Sequence, residues 1–317
     1  MTQGLAGLTS MPLLSVVTPT LNQAAFLEET LDSVAQQDYP RIEHIVVDGG
    51  STDGTVEILR TWEQAHGLIW LSEPDNGMYD AVNKGLRMAS GDLLTYLNSD
   101  DTWFPWTVRT AVTALTAAPS AAFVFGDVLN FDDVAGTGAI GFYPATPPGA
   151  FRRTGRLGQP GVVWRRSAQD VIGLFDDSLR YAGDTDFFVR LASRFGGARV
   201  DEVLAREREY PARASQAMAR EVAAEIAVIR HRQGTPVSPR RAAAHRLQDR
   251  LGNAVRHRVA VARYLASARP ADSGRAGGWQ HFRACGAFRV ERAAMAASII
   301  PAVGRPYERY VHRAVAP

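Results

Sequence analysis

Residues 42–55 read IEHIVVDGGSTDGT. Ile42 to Val47, with Ile42, Ile45, Val46 and Val47 all β-branched, has the length and composition expected of a strand. A turn rich in Gly, Ser and Asp follows. From Thr55 to Ala65, Val56, Leu59 and Trp62 then recur at helical spacing. A strand feeding a polar loop and then a helix is the repeating unit of a parallel sheet. The unit recurs on both sides. Upstream, Leu13–Thr18 (LLSVVT) has the strand pattern, and Phe26, Leu27, Leu31 and Val34 have the helical one. Downstream come a strand at Ile69–Leu71, a helix face of Met78, Val82, Leu86 and Ala89, and strands at Leu93–Leu97 and Ala121–Phe125. The expected fold is α/β, a mostly parallel sheet flanked by helices. Further helices are expected over Asp184–Phe195 and, capped by Ser215, along Met218, Val222, Ile226 and Ile229. Gly126–Arg156, rich in Gly and Pro, is expected to be a long loop.

Composition narrows the function classes. The chain has 317 residues, 46% of them hydrophobic and 21% charged, which suits a large α/β core with an appendage. A single cysteine, Cys285, excludes an internal disulfide framework and a Cys-rich zinc site. The N-terminus has no pattern of a secretory signal, and no stretch approaches the roughly 18 apolar residues that span a bilayer. A cytoplasmic protein is expected, soluble or peripheral on the inner face of the plasma membrane. The expected organisation is a disordered terminus over 1–12, the α/β domain over 13–232, and a basic helical extension over 233–317. From Arg240 onward there are 15 arginines against four carboxylates. That extension has two readings: amphipathic helices resting on an anionic membrane, or helices packed on the acidic domain or a second subunit as a homo-oligomer. The second is slightly favoured. No nucleic-acid motif accompanies the basic residues, so no nucleic-acid partner is expected.

In open α/β sheets ligands bind beyond the carboxyl ends of the strands. Four segments there, or at a helix start, carry chemistry. Asn98-Ser99-Asp100-Asp101 offers hard oxygen ligands for Mg²⁺ or Mn²⁺, or alternatively a helix cap and turn. Asp48, at the head of Asp48–Gly54, can accept from a nucleobase N–H, whereas Ser51 or Asp53 fits a helix cap. Asp75 or Asn76 suits the cap of the third helix. Within that helix stands Lys84, the only lysine of the chain, in reach of a phosphate or simply solvated. Asp184 and Asp186 open a helix, where a carboxylate is either a base or a cap.

In order and placement these segments resemble the inverting glycosyltransferases of family 2, which have the GT-A fold. The matching stretches are SVVTPTLN (15–22), IVVDGGSTDGT (45–55), SEPDNGMYDAVNKG (72–85), GDLLTYLNSDD (91–101) and GDTDFFVRL (183–191). The third and fourth look most like enzymes of bacterial surface polysaccharides, colanic-acid-type enzymes included. The resemblance implies a nucleotide-sugar donor, a carbohydrate or lipid-linked acceptor, a divalent metal and a single in-line displacement. It implies that Pro19, Thr20 and Asn22 line the nucleotide pocket and that Asp48 binds the base. Asp75 and Lys84 would lie near the ribose or diphosphate, and Asn98 and Ser99 beside the donor. Asp100, with Asp101, would hold the metal, and Asp184 would be the catalytic base. Three departures stand out. Asn98 replaces the first aspartate of the DxD motif, and Gly183 stands where a glutamate often precedes the base. Val82 replaces a common arginine, which shifts phosphate contact to Lys84 or to later arginines. A sugar-phosphate nucleotidylyltransferase would need a Gly-rich basic loop after the first strand, which Thr18–Asn22 lacks. A non-catalytic sugar- or nucleotide-binding descendant is the other alternative.

Overall fold

The computed structural model describes residues 11–132, 137–141, 143, 157–211, 213 and 217–234. The basic extension, Ser215 and most of 142–156 lie outside the described residues. Nine strands form one sheet: β1 (Leu14–Thr20), β2 (Ile42–Asp48), β3 (Ile69–Ser72), β4 (Leu93–Tyr96), β5 (Thr102–Trp103), β6 (Ala121–Asp132), β7 (Thr137–Gly141), β8 (Val162–Arg165) and β9 (Gly196–Arg208). The helices are α1 (Leu27–Ala35), α2 (Thr55–His66), α3 (Met78–Met88), α4 (Thr107–Ala117), α5 (Arg166–Ile172), α6 (Gly183–Arg194) and α7 (Ala219–Arg232).

The strand order is β3-β2-β1-β4-β8-β6-β9-β5, with β7 on β6. The first four strands are parallel, as expected. β1 is buried along its whole length, so its residues do not alternate strictly between apolar and polar, and the buried Ser15 and Thr18 are hydrogen-bonded to Glu43 and His44. The register places Thr20 beside Asp48, and Asp48 beside Ser72, so three loops leave the sheet at one edge.

The second half of the sheet is mixed. β8 runs antiparallel to β4 and β6, and β5 antiparallel to β9, while β6 and β9 are parallel. The expected loop over 126–156 is therefore corrected in its first part. β6 continues to Asp132 and turns back as β7. Gly126, Asp127 and Asn130 look like turn residues in sequence, yet each has a partner or packing reason in the sheet. A Cβ at Gly126 would lie 2.6 Å from the Leu204 side chain, Asp127 pairs with Arg199 at 3.0 Å, and Asn130 donates to Glu207 at 2.8 Å.

Each face of the sheet carries its own core. On one, α3 and α6 bury Val82, Leu86, Phe187 and Leu191 against Val17, Val47 and Trp164. On the other, α4 buries Val108, Val112 and Leu115 against Leu14, Val16 and Val124. α3 lies so close to β1 that a Cβ on Gly85 would come within 2.4 Å of Val17. Mid-helix glycine is unfavourable by roughly 1 kcal/mol relative to alanine, so packing outweighs propensity here. Gly85→Ala should therefore destabilise by about 1–3 kcal/mol, as overpacking does. Urea unfolding followed by circular dichroism measures it, and a stabilised variant would contradict the packing.

Candidate active site

A cleft of about 440 Å³ opens where the loops after β1, β3 and β4 meet the start of α6 and the end of β9. Of the residues singled out in sequence, Pro19, Thr20, Asp75, Asn98, Ser99, Asp100 and Asp184 line it. Two atoms of this wall, Thr20 Oγ1 and Asn98 Oδ1, are buried without a hydrogen-bond partner within the protein. Buried polar atoms are nearly always paired, so an unpaired pair in a cleft marks a place for a ligand.

Asp100 is almost fully buried and accepts from the Tyr210 hydroxyl at 2.8 Å. Burial, then the Asp100 charge, raises that phenol to about 12. The Tyr210 ring lies tilted against Phe26, with centroids 5.4 Å apart. Asp101, the second expected metal ligand, is not among the residues that line the cleft. It is fully buried, accepts the Arg208 N–H at 3.0 Å, and lies 3.7 Å from the Arg213 guanidinium. Burial and the neighbouring Asp100 push its carboxyl well above the usual range. Its chemistry is to fasten the end of β9 to the loop after β4. Asp100 with the free Asn98 oxygen is the donor set that suits a hard cation. Among the described residues no three His, Cys, Asp or Glu side chains form a ready-made cage. A cation there would take its remaining ligands from water and phosphate, as Mg²⁺ does.

Asp184 is half-buried in the first turn of α6. Its Oδ1 accepts the Thr185 N–H at 2.6 Å and lies 3.4 Å from the Tyr79 hydroxyl. Desolvation raises its carboxyl to about 6, with the Thr185 N–H opposing the shift. Tyr79 belongs to α3 and is nearly sealed from water. Its ring lies parallel to Phe175 at 5.7 Å, and Phe175 stacks on Phe187 at 4.1 Å. The same ring explains Gly183. A Cβ there would lie 2.7 Å from the Tyr79 ring, so the side chain usual at this position has no room. Asp186 points away from the cleft and pairs with Arg190 at 2.7 Å.

Three expected contacts are relocated. Asp48 is fully buried outside the cleft lining. Its oxygens accept from Gly50 N–H (3.2 Å), Ser51 N–H (3.0 Å) and Ser72 Oγ (2.6 Å), and from the Ser51 hydroxyl. It shapes the loop after β2. Asn22, in the left-handed region at φ 52°, accepts the Thr52 N–H at 2.8 Å and so ties the first two loops together. Lys84 pairs with Glu73 at 2.9 Å and donates to the Pro74 carbonyl at 3.0 Å, away from the cleft lining. Its pKa is raised, chiefly by the hydrogen bond to Glu73. Trp164 is core, and Arg165 and Arg166 donate to backbone carbonyls. Only Gln159 of that group borders the cleft, donating to the Tyr96 carbonyl at 2.6 Å.

The cleft also holds residues that sequence reasoning missed: Tyr79, Glu207, Tyr210 and Arg213. Arg213 pairs with Glu207 at 2.7 Å. The signal available was the run Arg206 to Tyr210 at the end of a strand, in which arginine and glutamate alternate.

Comparison with known proteins fits this geometry. The model of glycosyl transferase family 2 matches residues 15–157. A PGL/p-HBAD biosynthesis glycosyltransferase of Mycobacterium bovis is 32% identical over 186 residues, which cover 57% of this chain and 70% of that protein. The chain belongs to glycosyltransferase family 2. An uncharacterized glycosyltransferase of Mycobacterium tuberculosis is 45% identical over 121 residues, 38% of this chain. The match spans about half of that relative, 46% of its length. A mannosyltransferase from Pyrobaculum calidifontis, solved with GDP-Man and Mn²⁺, has a TM-score of 0.57 at 23% identity, covering 92% of this chain and 85% of that one. That likeness establishes the GT-A architecture for this family 2 chain.

The placement of Lys84 makes a test. Lys84→Ala should leave nucleotide affinity within about twofold while lowering stability by up to about 1 kcal/mol, the usual worth of a partly exposed ion pair. Titration calorimetry with UDP and a thermal melt read the two effects. A tenfold loss of affinity would return Lys84 to the phosphate.

Proposed function

We propose that this family 2 chain transfers a sugar from a nucleotide-sugar donor, by default a UDP-sugar, to an acceptor hydroxyl with inversion. The observation that carries the reading is that Asp100 and Asp184 line one cleft, beside two unpaired buried oxygens. Its volume lies in the range of small-molecule sites.

Asp184 takes the proton of the acceptor hydroxyl. Its raised pKa suits the role, since a base poised near the working pH is both ionised and willing to hold a proton. Tyr79 and the Thr185 N–H hold the acceptor-facing carboxylate in place. The nucleoside diphosphate leaves without protonation, so no second carboxyl group is needed as an acid. Asp100 and Asn98 would hold the divalent ion, which when bound supplies charge neutralisation for the departing diphosphate. Two arginines of the cleft wall, Arg180 and the Glu207-paired Arg213, are the later arginines that could meet the diphosphate in place of Lys84. Thr20 and Asp75 face the nucleoside. Asp48 supports that wall indirectly, through the loop it holds. The acceptor in this reading is a carbohydrate or lipid-linked hydroxyl; a mycobacterial relative is named for PGL/p-HBAD biosynthesis.

A thermal-shift screen of UDP, GDP and dTDP, with and without Mn²⁺, tests donor and metal together. UDP with Mn²⁺ should stabilise most, and Asp100→Ala should abolish the Mn²⁺ increment. Equal shifts with and without the ion would remove the metal from the reading. Asp184→Asn should retain nucleotide affinity and lose at least about 100-fold in turnover, the scale of general base catalysis. Retained turnover would place the base elsewhere. In the wild type, kcat/KM should rise with pH through about 6 and then level, because Asp184 acts only when deprotonated. A profile flat from pH 5 to 8 would contradict that assignment.

A further inference from the structure

The turn that carries Asp184 is gripped from behind by a side chain that the proposed chemistry does not use. Glu225 stands on α7, beyond the stretch matched by the family model. One of its oxygens accepts the Arg180 N–H at 2.8 Å. The other accepts the N–H groups of Tyr181 and Ala182 at 2.9 and 2.8 Å. Three successive backbone N–H groups converging on one carboxylate form an anion-binding concavity, and such charge-assisted bonds are the strong ones. These donors immediately precede α6, whose N-cap residue, Ala182, has no side chain to cap with. A negative charge there also suits the positive end of the helix.

α7 is itself well seated. Ile229 is buried against Leu179 and Ala182, Ile226 packs beside them, and Arg232 pairs with Asp176 at 2.7 Å. Asp184 lies two residues past the last clamped N–H. Its other restraints, the Thr185 N–H and Tyr79, act on the carboxylate itself.

We propose that Glu225 is a positioning residue for the base: by fixing the backbone of 180–182 it sets where Asp184 stands at the edge of the cleft. The inference rests on the assignment of Asp184. Arg180 and Tyr181 of the clamped turn line the cleft beside Asp184, while Thr20 and Asp75, assigned above to the nucleoside, stand on loops that Glu225 does not touch, so loosening the turn should alter turnover more than donor binding.

The test uses the full chain with Glu225→Ala and Glu225→Gln. Glutamine keeps one acceptor oxygen and can hold two of the three N–H groups. The readout is release of nucleoside diphosphate from UDP-glucose, UDP-N-acetylglucosamine or GDP-mannose, with hydrogen exchange as a donor-independent measure. Glu225→Ala should lower kcat by about 10- to 100-fold, the loss expected of an ångström-scale misplacement. Glu225→Gln should lower it only severalfold. Affinity for UDP should stay within about twofold in both. The acid limb of the pH profile should move below 6 in Glu225→Ala, because a loosened turn admits water to Asp184. Amides 180–184 should exchange faster, with 18–23 and 96–101 unchanged. A folded Glu225→Ala with wild-type kcat and pH limb overturns the proposal. So does a loss of UDP affinity in step with kcat, which marks general destabilisation. Turnover retained by Asp184→Asn refutes the base assignment instead, and leaves the exchange data to judge the clamp alone.

Discussion

The buried carboxylate of Asp101 is the constraint around which this cleft is built. A charge removed from water must find donors or give up its ionisation. Asp101 finds the N–H of Arg208 and the guanidinium of Arg213, both from the segment that ends the last strand, more than a hundred residues later. Arg208 also donates to the Asp100 carbonyl at 3.2 Å and pairs with Glu29 on α1. Its guanidinium lies over Phe26 at 4.8 Å and Phe131 at 4.7 Å, so the positive charge is packed as well as paired. Through these contacts the loop after β4 gains an opposite wall. Tyr210, Glu207 and Arg213 stand in that wall, held by the β6–β9 pairing and by the Asp101 contacts.

The two sides of the cleft have different electrostatic characters. Around Asp100, cations and a phenol surround a carboxylate that opens to the cleft. Around Asp184, an aromatic stack of Tyr79, Phe175 and Phe187 excludes water and raises the affinity for a proton. Two carboxylates of the same chemistry are thereby set to different tasks by their surroundings. Gly183 belongs to this arrangement. In sequence it looks like a lost acidic residue, and in the structure it is the space that the Tyr79 ring occupies.

Much of the fold was legible from residues alone. β1 to β4 and α1 to α3 alternate strongly because β1, β4 and most of β2 are buried and each helix buries one stripe, with only the edge strand β3 left partly exposed. The second half was less legible. β8 has four residues, β5 has two, and β6 contains Gly126, Asp127 and Asn130, which read locally as turn formers. Their partners, Leu204, Arg199 and Glu207, are far along the chain, so no local window shows why they tolerate a strand. The same holds for the site. Asp100 and Asp184 stood out by motif and position and do share the cleft, whereas Tyr79, Tyr210 and Arg213, also in its lining, sit among ordinary helix and strand-end residues. Asp48 and Lys84 stood out in sequence as well, but neither lines the cleft. Each has the right chemistry for a nucleotide, but nearby groups already engage it: Ser51 and Ser72 in one case, Glu73 and Pro74 in the other.

The sequence by itself determined the parallel half of the sheet, the edge at which ligands would gather and the family, because periodicity and loop chemistry are local properties. Only the tertiary structure decided which polar groups remain open to a ligand and which are already paired. That outcome depends on desolvation and on partners brought together from distant segments, as with Asp101 and Arg213, or Glu225 and the turn before Asp184. A residue type records what a side chain can do, and the packed neighbours decide whether it is free to do it.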